Sequence, residues 1–241
     1  MIVAATLDRH TLPDAFRFLW DDRSFVGQKI LEHVGLSAVS VGIAVALALP
    51  LGVWLGHVHR GSFIAINGSN ILRALPSLAV ISIFLPSLGI GHAVVAIALI
   101  VLAAPLILTN AYVAVDGVDP DVVEAARGMG LTPFQVVTRV EFPLALPLIF
   151  AGIRTAAVYV VATATLAGVV GGGTLGDIVF NQATYFLYGV VGAALVVSAL
   201  AFAAYFLFAL LERLLSPRGL RHAGAELREE EPPVVYEAAA L

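Results

Sequence analysis

The most conspicuous polar stretch of this chain, residues 113–147, separates two long apolar runs. The residues that define it are Glu124, Ala125, Ala126, Gly130, Pro143 and Pro147. Glu124 can pair with Arg127 at i,i+3 on a helix surface, which contributes only about 0.2–0.5 kcal/mol. These residues are therefore suited to packing and ion-pair contacts. The helices that carry them decide which groups the Glu124 carboxylate contacts.

The spacing of this stretch predicts two short helices, of which the first begins at its capping residue Asp119. Pro120 suits the first helical position, and Gly128 or Gly130 can end the helix. The apolar residues of this helix, which would otherwise face water, are Val122, Val123, Ala125, Ala126 and Met129. Either a partner covers them or the helix folds against the ends of its neighbouring apolar helices, and spacing alone leaves both open.

The second short helix is predicted to begin at Thr132, which can cap it. Pro133 follows at the first helical position, and Thr132 with Gln135 forms a capping-box pattern. Because proline lacks the backbone N–H and clashes with the preceding turn, Pro143 and Pro147 are expected to stop this helix before the next apolar run.

A second candidate site is the glycine-rich run 171–176, which Asp177 follows. Its glycine spacing is that of a phosphate-binding loop, but Asp177 stands where that motif requires lysine and no strand precedes it, so nucleotide binding is excluded. Gly172 and Asp177 are expected to belong either to a gate, where glycines let backbones approach closely, or to a flexible outer turn. Asp177 can alternatively cap a helix that starts at Ile178.

Weakly polar side chains in the apolar runs are candidates for a transport path. They are Ser77, Ser82, Thr155, Tyr159, Thr163 and Thr165. Tyr159 is suited to cation–π contact with a quaternary amine. The hydroxyls can line a path, or they can simply bond a neighbouring carbonyl or pack helices.

The composition is that of a membrane protein: 60% of the residues are hydrophobic and 12% charged, against roughly 25% charged in soluble domains. The absence of cysteine excludes thiol catalysis and thiolate metal sites. A net charge of −4 without a large basic cluster argues against nucleic acid as a partner. His57, His59 and His92 are expected at membrane interfaces rather than as metal ligands, because two histidines without a third partner make a poor site.

Runs without Asp, Glu, Lys or Arg locate the membrane, and a helix needs about 20 residues to cross it. The run 74–115 is long enough for two spans, which places five in all. The predicted spans are 36–57, 69–88, 92–112, 149–170 and 186–209. Arg73 then lies near one end of the second span, where its side chain can reach the headgroups.

The distribution of Lys and Arg predicts the orientation, because positive charges concentrate on the cytoplasmic side. It favours an outer amino terminus and an inner carboxyl terminus. Residues 1–33 are predicted to be an interfacial segment, 34–215 the transmembrane domain, and 216–241 a disordered cytoplasmic tail. No predicted span has a charge near its centre, which argues against a proton-relay or ion-coupled secondary transporter.

The six residues that define 113–147 resemble the EAA loop of binding-protein-dependent permeases of ABC importers. Val140 and Phe142 stand where that family usually has Ile and Leu. The resemblance implies an all-α integral membrane fold with five transmembrane helices, of the MetI-like ABC permease type. It also implies that the loop forms coupling helices, which sit in a groove of a cytoplasmic ATP-binding subunit. The resemblance further implies that the protein lies in the plasma membrane of a prokaryote.

Further strings are similar to the osmoprotectant branch of these permeases, which imports glycine betaine, carnitine and choline. They are residues 76–78, 89–91, 152–157 and 171–177. This resemblance implies an extracytoplasmic substrate-binding protein and a second permease, either another copy or a similar chain. ATP hydrolysis then belongs to the partner, and this chain is no enzyme and needs no cofactor. An ABC permease for an amino acid or other small solute is the alternative.

Overall fold

The computed structural model describes residues 10–216, and its regular structure is entirely helical over that range. The α-helices are α1 Thr11–Asp21, α2 Arg23–His57, α3 Ser69–Arg73, α4 Ser77–Leu88, α5 His92–Asp116, α6 Pro120–Gly128, α7 Pro133–Val136, α8 Phe142–Thr163, α9 Gly176–Val179 and α10 Gln182–Leu215. Wider π-helical turns cover Phe63–Gly68 and Val137–Glu141, and a 3₁₀ helix covers Ala164–Val170.

Four helices of the described chain are long and apolar enough to cross a membrane: Arg23–His57, His92–Asp116, Pro133–Val170 and Gln182–Leu215. A fifth crossing requires that Ala65–Arg73 and Ser77–Leu88, which meet at 80°, count as one broken span. The predicted all-α membrane fold is confirmed. The five-span count and the orientation stay predictions.

The first crossing helix is longer than its predicted span 36–57. α2 begins at Arg23 and has 35 residues, about 52 Å at 1.5 Å per residue, against a hydrocarbon core of about 30 Å. It passes through position 33 without a break, so the proposed boundary between 1–33 and 34–215 falls inside a helix. The interfacial segment stays a prediction, and its residues 1–9 lie outside the described range.

The second predicted span, 69–88, is not one helix but two, with a break at residues 74–76. Pro76 has an extended conformation (φ −64°, ψ 130°) and precedes the first residue of α4. Its ring disfavours a helical conformation at the residue before it, and it cannot donate a backbone hydrogen bond. Arg73 ends α3 directly before this break.

The expectation that Pro143 and Pro147 separate the loop from the next span is wrong. α7, the π-turn Val137–Glu141 and α8 form one continuous helical run, with Pro143 in the first turn of α8 and Pro147 inside it. In the π-turn the hydrogen bonds reach one residue further than in an α-helix. The irregular turn directly before Pro143 lets the run absorb a residue that has no N–H to donate.

The core lies where α2, α5 and α8 pack together. α2 approaches α5 through glycines one turn apart: a Cβ on Gly52 would lie 2.7 Å from the Ala111 Cβ, and one on Gly56 would lie 2.8 Å from the Val115 Cβ. Small residues at this spacing let membrane helices approach closely and gain packing contacts.

The last helix, α10, leaves most of its length uncovered by the rest of the chain. Large side chains such as Phe202 and Leu214 are exposed along it, as is usual for a helix that faces lipid or another subunit. The predicted tail 216–241 falls outside the described residues except for Ser216.

Candidate functional site

The first loop helix has the predicted capping. The Asp121 N–H donates to the Asp119 carboxylate at 2.9 Å, and α6 ends at Gly128. Gly130 follows with φ +86°, a left-handed conformation that glycine adopts without strain. The prediction for this helix is confirmed at both ends.

The second loop helix has the predicted capping box. The Thr132 N–H donates to the Gln135 side-chain oxygen at 2.9 Å, and the Gln135 N–H donates to the Thr132 hydroxyl at 3.4 Å. Two backbone donors that the first turn would leave unpaired are thus satisfied.

The apolar residues of the loop divide into a buried and an exposed set. Val123 and Ala126 are buried with Val118 and Val136 in a small core of the loop itself. The exposed apolar residues, together with Glu124, are called here the loop surface: Val122, Glu124, Ala125, Met129 and Phe134. Met129 and Phe134 are 75% and 76% exposed. Internal packing therefore accounts for one half of the apolar residues and leaves the other half for a partner.

Glu124 does not form the surface ion pair with Arg127 that its spacing allows. Within residues 10–216 neither side chain belongs to an ion pair. Its carboxylate is exposed beside Ala125 on the loop surface. The predicted coupling residues Glu124, Ala125 and Gly130 are exposed, whereas Ala126 supports them from below.

The same loop contains a buried histidine–carboxyl hydrogen bond that the sequence did not indicate. The His57 Nδ1 donates to the Glu141 Oε2 at 2.7 Å, and the Glu141 side chain is 1% exposed. The His59 Nδ1 donates to Asp116 at 2.8 Å in a more exposed pair. His57 therefore contacts the loop rather than only an interface, and no local pattern could join residues 84 positions apart.

The opposite end of α2 carries a second polar cluster. The Lys29 ammonium donates to Asp177 at 2.8 Å and to Glu32 at 3.0 Å, and the Thr174 N–H donates to Glu32 at 3.2 Å. Asp177 lies within α9 and pairs with Lys29 rather than capping a helix at Ile178. These contacts tie the start of α2 to the glycine-rich run.

The glycine-rich run is tightly packed, which does not support the flexible-turn interpretation. Thr174 is fully buried, and Gly172 and Gly176 are buried too. A Cβ on Gly176 would collide with the Thr165 carbonyl, so no other residue fits there without a backbone shift. The structure brings Thr165 against this run, and the gate remains a prediction.

The other candidates for a transport path do not converge with the glycine-rich run. Thr155 is exposed on α8 and donates to the Ala151 carbonyl at 2.8 Å. Tyr159, one turn further, is 52% exposed. Thr163, the last residue of α8, is half-buried. Thr155 and Tyr159 are thus exposed one turn apart on α8.

Comparisons with known proteins agree with this arrangement. Residues 48–218 match the family described as binding-protein-dependent transport system inner membrane component. The choline transport system permease protein OpuBB of Bacillus subtilis is 39% identical over 194 residues, which are 80% of this chain and 89% of that protein. The glycine betaine/carnitine/choline transport system permease protein OpuCB of the same bacterium is 38% identical over 79% of this chain and 88% of its own length.

A structure of the MetNI methionine ABC transporter in an inward-facing conformation has a similar fold. Its TM-score is 0.69 at 25% identity, and the match covers 80% of this chain and 96% of that chain. The predicted MetI-like permease fold and the location in a prokaryotic inner membrane are confirmed. This chain belongs to the family of inner membrane components of binding-protein-dependent transport systems.

Proposed function

We propose that this chain is the transmembrane permease subunit of an ATP-binding-cassette importer for a quaternary-ammonium osmoprotectant: glycine betaine, choline or carnitine. The coupling part of the proposal rests on the loop surface. Its exposed apolar residues and one carboxylate belong to a helix pair whose buried residues already form a core of their own. The names of the relatives OpuBB and OpuCB support the class of cargo.

The loop surface is the docking site for the cytoplasmic ATP-binding subunit. Met129 and Phe134 supply apolar contact, and the Glu124 carboxylate supplies a charge that a basic partner residue can meet. Partner interfaces commonly place such apolar anchors inside a polar rim. The small core formed by Val123 and Val136 lets the helix pair move as one body.

Two structural connections transmit a movement of the loop to the membrane-crossing helices. α7 continues through Val137–Glu141 into α8 without a gap, so a displacement of the loop acts directly on that crossing helix. The His57–Glu141 pair connects the same turn to the end of α2. Closure of two ATP-binding subunits thus acts on two of the core helices together.

At the opposite end of the molecule, the cluster of Lys29, Glu32 and Asp177 against Thr174 is the proposed outer gate. An extracytoplasmic binding protein delivers cargo there. The exposed patch of Thr155 and Tyr159 on α8 faces the transport path, which a second permease, either another copy or a similar chain, completes.

The test is uptake by proteoliposomes that contain this permease, its ATP-binding subunit and its binding protein. Radiolabelled glycine betaine, choline and carnitine are offered with ATP inside, and vesicles with a non-hydrolysable ATP analogue serve as the control. ATP-dependent uptake of any of the three supports the proposal. Transport of an amino acid alone, as the likeness to a methionine transporter allows, contradicts the proposed cargo class. It leaves the proposal of an ABC importer permease intact. Uptake that needs no ATP-binding subunit indicates a secondary transporter.

A further inference from the structure

Arg73 occupies a position that its place in the sequence does not suggest. The sequence places it near the end of a span, in reach of the headgroups, but the structure turns its side chain toward the middle of a neighbouring helix. Its Nη2 donates to the carbonyl oxygen of Pro105 at 3.2 Å, and Pro105 is in the middle of α5.

The depth of this contact follows from the length of α5. The helix has 25 residues from His92 to Asp116. At 1.5 Å per residue, Pro105 lies about 20 Å from its first residue and about 17 Å from its last. For a crossing helix centred on the hydrocarbon core, which is about 30 Å thick, this level is near the middle, where a charge is costly and commonly functional.

Among residues 10–216, no carboxylate forms an ion pair with Arg73. Within the same range, its hydrogen bond to the Pro105 carbonyl uses one of five N–H groups. The residue is exposed on the single chain. Lipid tails could not satisfy the remaining donors, so this face must line an aqueous cavity or meet another polar group.

The backbone beside Arg73 leads to the same conclusion. Residues 74–76 are non-helical and exposed between α3 and α4. Irregular backbone at membrane depth occurs only where it is buried in protein or lines a water-filled cavity. α4 begins at Ser77 directly after this break, and the positive end of its helix dipole adds to the positive potential around the guanidinium group.

We propose that Arg73 binds the carboxylate of the cargo midway along the transport path. This inference rests on the proposed osmoprotectant function. A guanidinium group offers two parallel donors that match a carboxylate. Glycine betaine and carnitine both pair a trimethylammonium group with a carboxylate, whereas choline ends in a hydroxyl. Arg73 therefore favours the carboxylated members of the class.

The experiment compares cargoes with and without a carboxylate in the complete transporter. Wild type, Arg73→Gln and Arg73→Lys are reconstituted with the ATP-binding subunit and binding protein, and initial uptake rates of glycine betaine, carnitine and choline are measured. Arg60→Gln, at an exposed position outside the bundle core, is the matched control. Size-exclusion chromatography and basal ATPase activity verify that each variant assembles.

Arg73→Gln is expected to lower glycine betaine and carnitine uptake at least about tenfold, since hydrogen bonds to charged groups contribute about 1.5–3 kcal/mol, and to change choline uptake less than about twofold. Arg73→Lys is expected to restore part of the loss. If the wild-type transporter does not transport choline, the proposal is supported by loss of glycine betaine and carnitine uptake in Arg73→Gln together with partial recovery of that uptake in Arg73→Lys. Equal loss for all three cargoes, unchanged uptake in Arg73→Gln, or a wild type that carries only choline overturns it. A wild type that carries none of the three contradicts the proposed function itself.

Discussion

The His57 imidazole donates to the buried carboxylate of Glu141 across 2.7 Å and thereby joins the end of α2 to the coupling loop. The second oxygen of the carboxylate has no hydrogen-bond partner in the described chain, so the histidine is its main stabilising contact. A buried carboxylate with one partner is sensitive to the loss of that partner.

His57→Ala is therefore expected to destabilise the permease. Removal of the imidazole leaves the buried Glu141 carboxyl without its hydrogen-bond partner, which costs about 1–3 kcal/mol. The readout is the thermal midpoint of the detergent-solubilised complex, with the ratio of cargo uptake to ATP hydrolysed as a functional measure. His59→Ala, which breaks the exposed pair with Asp116, is the control and should cost less than about 1 kcal/mol.

The double variant His57→Ala/Glu141→Gln sharpens this test. Because a neutral amide is less costly to bury without a partner than a carboxyl group that can ionise, it is expected to recover part of the stability that His57→Ala loses. A double variant that is no more stable than His57→Ala would show that the pair is not the source of the effect.

Glu124→Lys is expected to leave the protein in the membrane and to uncouple uptake from ATP hydrolysis. The side chain is exposed and belongs to no ion pair within residues 10–216, so folding does not depend on it. Uptake and ATPase activity are measured in the same proteoliposomes. Asp121→Asn, one turn earlier on α6, is the control, and unimpaired uptake in Glu124→Lys would remove this carboxylate from the mechanism.

Phe134→Asp should abolish co-purification with the ATP-binding subunit while the permease itself stays folded. Phe134 is 76% exposed on the loop surface, whereas Val136, two residues later, is fully buried in the core of the loop. Val136→Asp is therefore expected to lower the thermal midpoint of the isolated permease. Retained association in Phe134→Asp would mean that the partner docks elsewhere.

Gly56→Ala is expected to destabilise the packing of α2 on α5 by about 1–3 kcal/mol, as overpacking generally does. The added methyl group would lie 2.8 Å from the Val115 Cβ and 2.9 Å from the Tyr112 carbonyl oxygen. Gly42→Ala on the same helix meets nothing within 4 Å and should stabilise by roughly 0.5–1 kcal/mol. Thermal unfolding of both variants in one detergent gives the comparison, and equal midpoints would contradict the close approach.

The sequence by itself determined the features that depend on local interactions. The caps at Asp119 and Thr132 involve residues two or three positions apart, so their spacing predicted α6 and α7 correctly. Charge-free runs located the apolar helices, since hydropathy depends on composition alone. The chemistry of the loop was therefore predictable, including that apolar residues on α6 require cover.

Only the tertiary structure decided the contacts between distant residues and the course of the helices at proline. A π-turn lets a helix continue through Pro143, whereas Pro76 produces a break. The partner of His57 is 84 residues away. Arg73 adjoins a charge-free run in the sequence, yet the bend of α3 and α4 places it beside the middle of α5. Depth in a bilayer depends on helix direction and packing, and neither is a local property of the chain.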